Sequence, residues 1–285
     1  MTGWLARVAL GGALAGALVA CSPTGGKAEQ GKGEVVAMET YRELIDQGQA
    51  QERLGNVEPA LQFYDRAIQR SPDKSEGWRR KAVLLASAQR FDESLMVLEA
   101  GNKAAPGDDV ILGLLITNLR EVGRKDEAYV LAQSVLQQES RSIWVLKAAG
   151  DTLRDRGEYS KANRLYDRGL DIEPDNTMLL NGKATSAFLE KDFVTAATLY
   201  ERTAAIRPDD FLAWINLAFV RENLGLKAKA CEAYERALAI RANDPAALEG
   251  RAGCAPSPAE AEPFIQRLAA VDPAKANEVR QRMWR

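Results

Sequence analysis

Four prolines set the frame of this chain. Pro72, Pro106, Pro174 and Pro208 are spaced by 34, 68 and 34 residues, so one period of 34 runs through the middle of the sequence. A fixed period of this length marks a short supersecondary unit that cannot bury its own apolar face, so its copies have to stack. Six windows of 34 laid from Tyr41 to Asp244 bring like residues into register. Position 8 carries Gly48, Ala82, Ile116, Gly150, Ala184 and Ala218, and position 20 carries Ala60, Ser94, Ala128, Ala162, Ala196 and Ala230. Position 4 is large and apolar (Leu44, Trp78, Leu112, Leu146, Leu180, Trp214), and position 24 carries Tyr64, Leu98, Ala132, Tyr166, Tyr200 and Tyr234. Within each half-window apolar residues recur three and four apart, the spacing of one helical face. Gly55, Gly123, Gly157 and Gly225 stand between the halves, where a helix can end in a left-handed conformation. Each window is therefore expected to be a pair of antiparallel helices. Small residues at positions 8 and 20 let the backbones approach, and the proline near the window's end stops the second helix. The chain is predicted to be all-α, a solenoid with a concave and a convex side.

The pattern has two departures. Window three lacks its closing proline (Ser140) and carries Ile116 and Val135 where small residues are usual, which predicts looser packing or a change in superhelix direction. After window six, Asp244-Pro245 restarts a helix, and Leu248 and Ala252 keep positions 4 and 8. Pro256 and Pro258 then break the frame, so the seventh unit is expected to be a half. Ser257 with Glu260 resembles a capping box opening a helix to Val271, and Asp272-Pro273 opens a last one to Trp284. Residues 245–285 thus form a half-repeat and capping helices.

Period and residues together resemble the tetratricopeptide repeat across 41–244. The resemblance implies a right-handed solenoid whose first helices line a concave groove through positions 2, 5, 6, 9, 12 and 13. Read at those positions, units one and two offer Arg42, Asp46, Glu52, Arg53, Glu76, Arg79 and Arg80. Unit four offers Trp144, Lys147, Asp151, Arg154 and Asp155. Units five and six turn apolar: Met178, Asn181, Phe188, Leu189, Leu212, Ile215, Asn216, Phe219 and Asn223. Aromatic and aliphatic side chains interleaved with amides suit an extended peptide or an amphipathic helix. The expected peptide-binding groove is therefore Trp144, Lys147, Asp151, Met178, Asn181, Phe188, Leu212, Ile215, Asn216 and Phe219. The alternative is that the C-terminal helices fold back into this end, because Phe264, Ile265, Leu268 and Val271 need a partner. The carboxylate clamp of chaperone-binding repeats is not matched, since Lys147 is followed at position 9 by Asp151 where that pattern has asparagine.

Composition narrows the chemistry. The sequence has no histidine, which removes the usual acid–base group and the commonest metal ligand. A formal net charge of −2 gives no global basic field for nucleic acid. Asp151 and Asp155 lie on one helix face and could pair for acid–base work or hold a hard cation. Arg154 and Arg156 beside them favour a solvated ion-pair face instead. No phosphate-binding loop or nucleophile elbow appears, so the sequence points to no enzyme and implies no cofactor or metal.

The N-terminus reads as an address. Arg7 precedes an apolar run from Val8 to Val19, too short to span a bilayer as a helix and suited to a secretory signal over 1–20. Leu18-Val19-Ala20-Cys21 resembles the lipobox of bacterial lipoproteins, which implies cleavage before Cys21, acylation there and membrane attachment through the acyl chains. Resemblance to enterobacterial lipoproteins, in which aspartate at the next position is the retention signal, implies that Ser22 directs outer-membrane sorting with the protein facing the periplasm. Residues 21–40 then comprise the lipidated cysteine and a Gly-rich tether. Cys231 and Cys254 remain, an even number in an oxidising compartment, and the repeat frame puts both toward one end of the stack. A disulfide is predicted; two separate buried thiols are the alternative.

Lipoproteins of this kind resemble three envelope groups. The span Ala162–Ala197, with Arg164-Leu165-Tyr166, Ile172-Glu173-Pro174-Asp175 and Leu179-Leu180-Asn181-Gly182, is similar to the TadD-like lipoproteins of the tight-adherence (Flp) pilus system. That resemblance implies an assembly factor with a secretin or another pilus or secretion component as partner. Type IV pilus pilotins of the PilF kind imply nearly the same role. NlpI-like lipoproteins imply an adaptor that presents substrates to periplasmic proteases or cell-wall hydrolases.

Overall fold

The computed structural model describes residues 39–283, which contain fifteen helices and no strand. The signal at 1–20, Cys21 with its tether, and Trp284 lie outside the described residues. In the six windows, α1 (Tyr41–Arg53) pairs with α2 (Val57–Arg70), α3 (Ser75–Ser87) with α4 (Phe91–Ala104), and α5 (Asp109–Glu121) with α6 (Lys125–Gln137). Likewise α7 (Ile143–Asp155) pairs with α8 (Tyr159–Ile172), α9 (Thr177–Leu189) with α10 (Phe193–Ile206), and α11 (Phe211–Asn223) with α12 (Lys227–Ile240). Short links make the two helices of a pair antiparallel. Each second helix also packs on the first helix of the next unit, so the pairs stack into a solenoid.

Local chemistry sets the ends. Thr40 closes a capping box with Glu43, and Asp108, Asn176, Asp192, Asp210 and Asp244 accept N-terminal amides of the helices they precede. Between the halves the chain turns through a left-handed residue. Four units use glycine there (Gly55, Gly123, Gly157, Gly225), whereas units two and five force Gln89 and Lys191 to φ 61° and 63°. The position-4 tryptophans are tied to the preceding unit's end: Trp78 Nε1 donates to the Pro72 carbonyl at 2.8 Å, and Trp214 Nε1 to that of Pro208 at 2.9 Å.

Unit three departs from its neighbours as its sequence suggests: α5 packs less on its own partner α6 than the first helices of the other units do, and more on α7 of the next unit, yet its core stays closed. Ile116, Ala132 and Val135 are all fully buried. Elsewhere a small position 8 faces a large position 24, as with Gly48 and Tyr64; here large Ile116 is matched by small Ala132. Exchanging bulk between facing positions conserves core volume, which cores tolerate well. The missing proline is also replaced. Arg168 on α8 donates to the carbonyls of Val135 (3.2 Å), Gln138 (2.7 Å) and Ser140 (3.1 Å), closing the end of α6. Ser140 Oγ donates to Asp109 at 2.6 Å and accepts from the Ser142 amide at 3.1 Å, fixing the turn into unit four.

Beyond window six come α13 (Pro245–Gly253), α14 (Pro258–Val271) and α15 (Pro273–Met283). α13 is a first helix shortened to 9 residues, and α14 lies against it as a second helix would. Ile265 and Leu268 of α14 are fully buried with Leu248 and Ala252 of α13 and Val279 of α15. Ile265 and Leu268 of α14 are therefore covered within the stack, where α15 packs on them, while Val271 at the helix end stays exposed.

Candidate functional site

Where the position-24 residue is tyrosine, its ring crosses the helix pair and delivers a hydroxyl to the inner side of the first helix. Tyr64 donates to Glu52 (2.7 Å), Tyr166 to Asp151 (2.8 Å) and Tyr234 to Glu222 (2.9 Å), while Tyr200 shares a hydrogen bond with Thr185 (2.8 Å). All four acceptors or partners stand at groove positions 9 or 12 of their windows. The crossing requires space: a Cβ on Gly48 would stand 2.4 Å from the Tyr64 ring. Tyr166 lies between two glycines, with Cβ positions on Gly150 and Gly182 falling 2.6 and 2.7 Å from it. Burial first, then the neighbouring carboxylate charge, pushes the Tyr166 hydroxyl above the ordinary phenol range, so it remains a protonated donor.

Units two and three have Leu98 and Ala132 in that place, and no hydroxyl arrives. There the concave face opens into a cavity of 510 Å³. Its apolar lining is Val83, Val110, Leu114 and Trp144, with Gly113 and Thr117 between them. Its charged rim is Glu52, Glu76, Arg79 and Arg80. Every lining residue occupies groove position 2, 5, 6, 9 or 12 of a first helix, drawn from α1, α3, α5 and α7. Gly113 lets α5 lie against α7: a Cβ there would meet the Trp144 and Val145 backbone at 3.2 Å. That close approach holds Trp144, 59% exposed, at the cavity wall.

One unit further on, the groove is ionic. Asp151 is buried and hydrogen-bonded to Lys147 (2.6 Å), Arg154 (2.9 Å) and Tyr166 (2.8 Å). Arg154 also reaches Asp155 at 3.0 Å, and Arg120 of α5 pairs with Asp155 at 2.5 Å. Burial opposes the charge on Asp151, but Lys147 and Arg154 outweigh it and hold the carboxyl below its usual pKa. The pair Asp151 and Asp155 is thus neutralised by cations at bonding distance, and the Asp151 half is a buried network instead of the expected solvated face. Arg156 leaves the group altogether and pairs with Asp126.

The sequence-predicted groove residues divide into three sets. Trp144 belongs to the cavity. Lys147 and Asp151 are consumed by the network just described. Of the rest, Met178, Leu212 and Phe219 are exposed, Asn181, Ile215 and Asn216 are half-buried, and Phe188 stacks on Phe219 with centroids 5.9 Å apart. Among the described residues the C-terminal helices leave Leu212 and Phe219 uncovered. Val83 of unit two and Val110, Gly113, Leu114 and Thr117 of unit three were missed, though the same groove positions identify them. The signal for them is position 9 of unit two and positions 2, 5, 6 and 9 of unit three.

Cys231 and Cys254 are joined by a disulfide with Cα atoms 5.7 Å apart, tying α12 to the end of α13. Arg251 packs beside it, its guanidinium 4.5 Å from the Phe264 ring centroid and 2.8 Å from Glu235. The bridge therefore fixes the last stacked units behind the exposed Phe219 end.

Known proteins place this architecture. A tetratricopeptide repeat model matches residues 45–109 and 147–211, and a second of the same description matches 212–244; together they cover more than half of the chain. The human protein O-mannosyl-transferase TMTC1 is 21% identical over 205 residues, 69% of this chain and 23% of that protein. The chain spans less than a third of the length of the curated relatives it matches. Among solved structures, a tetratricopeptide repeat protein from Parabacteroides merdae superposes with a TM-score of 0.62 at 14% identity, covering 86% of this chain and 99% of that one. PilW, described as a widely conserved type IV pilus biogenesis factor, superposes with a TM-score of 0.64 at 13% identity, covering 73% and 96%. The likeness to both structures is one of fold. A 34-residue period, paired helices, a glycine-floored tyrosine core and the family match converge: this chain belongs to the tetratricopeptide repeat family.

Proposed function

We propose that this protein is a lipid-anchored scaffold of the outer membrane, facing the periplasm, whose groove holds a segment of a pilus or secretion-system component of the tight-adherence type during assembly. The observation that carries the binding part is the 510 Å³ cavity, lined entirely from inward positions of four successive first helices and walled by exposed Trp144. Concave, mostly apolar clefts with a few placed polar groups are where proteins take ligands. The anchor rests on the lipobox-like Leu18–Cys21, and the assembly role on the TadD-like stretch from Ala162 to Ala197, with the fold shared with PilW in support. The scaffold works by presenting a rigid surface; its own side chains carry out no bond-making step.

A photo-cross-linking amino acid at Val83 in intact envelopes tests the reading. The expected adduct is a secretin or another pilus-assembly component, lost when the cavity is blocked by Leu114→Arg. An adduct with a periplasmic protease or peptidoglycan hydrolase would replace this reading with that of an adaptor. Cys21→Ser is expected to release the protein from membranes, and undiminished membrane retention would sink the anchor.

A further inference from the structure

We propose that the edge formed by the turns of units five and six is a membrane-contact surface, seated at the headgroup level of a bilayer that carries anionic phospholipid. The proposal goes beyond the scaffold reading above, and it needs neither the lipid anchor nor an occupied groove.

The turns between the two helices of each unit line one edge of the stack, and that edge changes along its length. In units two, three and four it is laced with ion pairs. Arg90 bonds Glu58 and Glu93 at 2.6 Å each, Arg124 bonds Glu127 (2.6 Å) and Glu99 (3.2 Å), and Arg156 pairs with Asp126. In units five and six the edge cations are Lys191, Lys227 and Lys229, all exposed. None of their ammonium groups has an ion pair or a hydrogen bond among the described residues. Glu190 and Asp192 beside Lys191 keep their charge, the first accepting from Asn163 at 3.3 Å and the second capping α10. The excess of cations therefore lies at Lys227 and Lys229, where residues 223–230 contain no acid. Both stand in the first turn of α12, and cations there oppose the helix dipole, so the fold itself gains nothing from them.

The same edge is apolar. Leu189, Val194, Phe219 and Leu226 are exposed, Val194 by 66%. Phe188 joins the two turns, its ring centroid 5.5 Å from that of Phe193 and 5.9 Å from that of Phe219. An exposed apolar patch rimmed by polar groups marks contact with a protein or a membrane. Charge decides between them. Aliphatic and aromatic side chains can enter the headgroup boundary while unpaired lysines lay their stems along it and carry their ammonium groups to lipid phosphates. The turns lie at the rim of the stack and not within its groove, so a flat surface can meet both at once.

A fluorophore whose emission moves to the blue in apolar surroundings tests this, attached at Leu226→Cys in the full chain carrying Cys21→Ser. Cys231 and Cys254 are bridged, so the label goes to one site. Vesicles of phosphatidylcholine with phosphatidylglycerol are expected to shift the emission and to shield the label from an aqueous quencher. A label at Met96→Cys in unit two, a site 70% exposed, should be unmoved. Both labelled chains keep residues 1–20, so attachment through the apolar run there does not distinguish them. Each lysine near an anionic surface is worth roughly a fivefold preference. Lys191→Glu, Lys227→Glu and Lys229→Glu together should therefore abolish most of the shift at Leu226, with far-ultraviolet helicity unchanged. Equal shifts at both labels, no shift at Leu226, or a triple variant that behaves as its parent would overturn the proposal. So would a photo-cross-linker at Val194 that captures one protein and no lipid in intact envelopes, which would make this edge a protein interface.

Discussion

The groove changes character in one step of the repeat. In units two and three position 9 of the groove floor is Val83 and Thr117; in unit four it is Asp151, locked with Lys147 into a buried network with Arg154 and Tyr166. The two regions share a backbone plan and differ in the core at positions 8 and 24. Tyr166 at position 24 brings a hydroxyl through the helix pair, so unit four can hold a buried carboxylate beneath the groove. Leu98 and Ala132 bring none, and the floor there holds apolar Val83 and Leu114 beside Thr117, whose hydroxyl donates back to the Gly113 carbonyl at 2.9 Å. In unit four a residue that never touches solvent thus withdraws a carboxylate from the surface above it.

The largest test of this contrast removes the carboxylate. Asp151→Ala leaves Lys147 and Arg154 facing each other without a counter-charge and should destabilise the chain by about 4 kcal/mol in urea unfolding, because breaking a buried pair strands its partners. The pH dependence has a definite sign. Since the folded pKa of Asp151 is depressed, its contribution is complete above the ordinary aspartate value of about 3.9 and is lost as pH falls from there through the folded value. Asp151→Asn should flatten that part of the acid limb of the stability curve; an identical limb would show that Asp151 does not govern it.

The exchange of bulk in unit three can be broken next. Ala132→Tyr alone should cost about 3 kcal/mol by overpacking against Ile116, and Ile116→Gly in the same chain should restore most of it, a coupling that a double-mutant cycle reads directly. Additive losses would mean that the two positions do not share one space. In unit four, Gly150→Ala should cost about 2 kcal/mol, because Tyr166 is confined on its other side by Gly182 and cannot yield. The smallest effect is that of Tyr64→Phe. It removes one hydrogen bond to Glu52 and should lower stability by about 1 kcal/mol.

Much of the architecture was legible because it repeats. The prolines gave the period, and the small residues at positions 8 and 20 marked where helices meet. The alternation of Gly48 with Tyr64 and of Ile116 with Ala132 was visible in the same register, though reading it as an exchange required seeing both sides buried. Gln89 and Lys191 were illegible as turn residues, because nothing in their chemistry favours a positive φ; the frame imposes it. At the groove, position alone put Trp144 on the concave face, where it lines the cavity, and put the apolar stretch at units five and six, where Leu212 and Phe219 are exposed, but it did not reveal the cavity nearer the N-terminus.

The order of helices, their pairing and the face each one buries follow from local spacing, since a helix end, a cap or a small residue acts within one turn or one window. Which groove positions are free to meet a ligand does not. Asp151 is withdrawn by a tyrosine 15 residues away, Asp155 is paired by Arg120 from the preceding unit at 35 residues, and Arg79 is paired with Asp108 at 4.0 Å. Charge and hydrogen-bond satisfaction are settled between side chains that only stacking brings together, and at bonding distance an ångström decides whether a group belongs to the protein or is left for its partner.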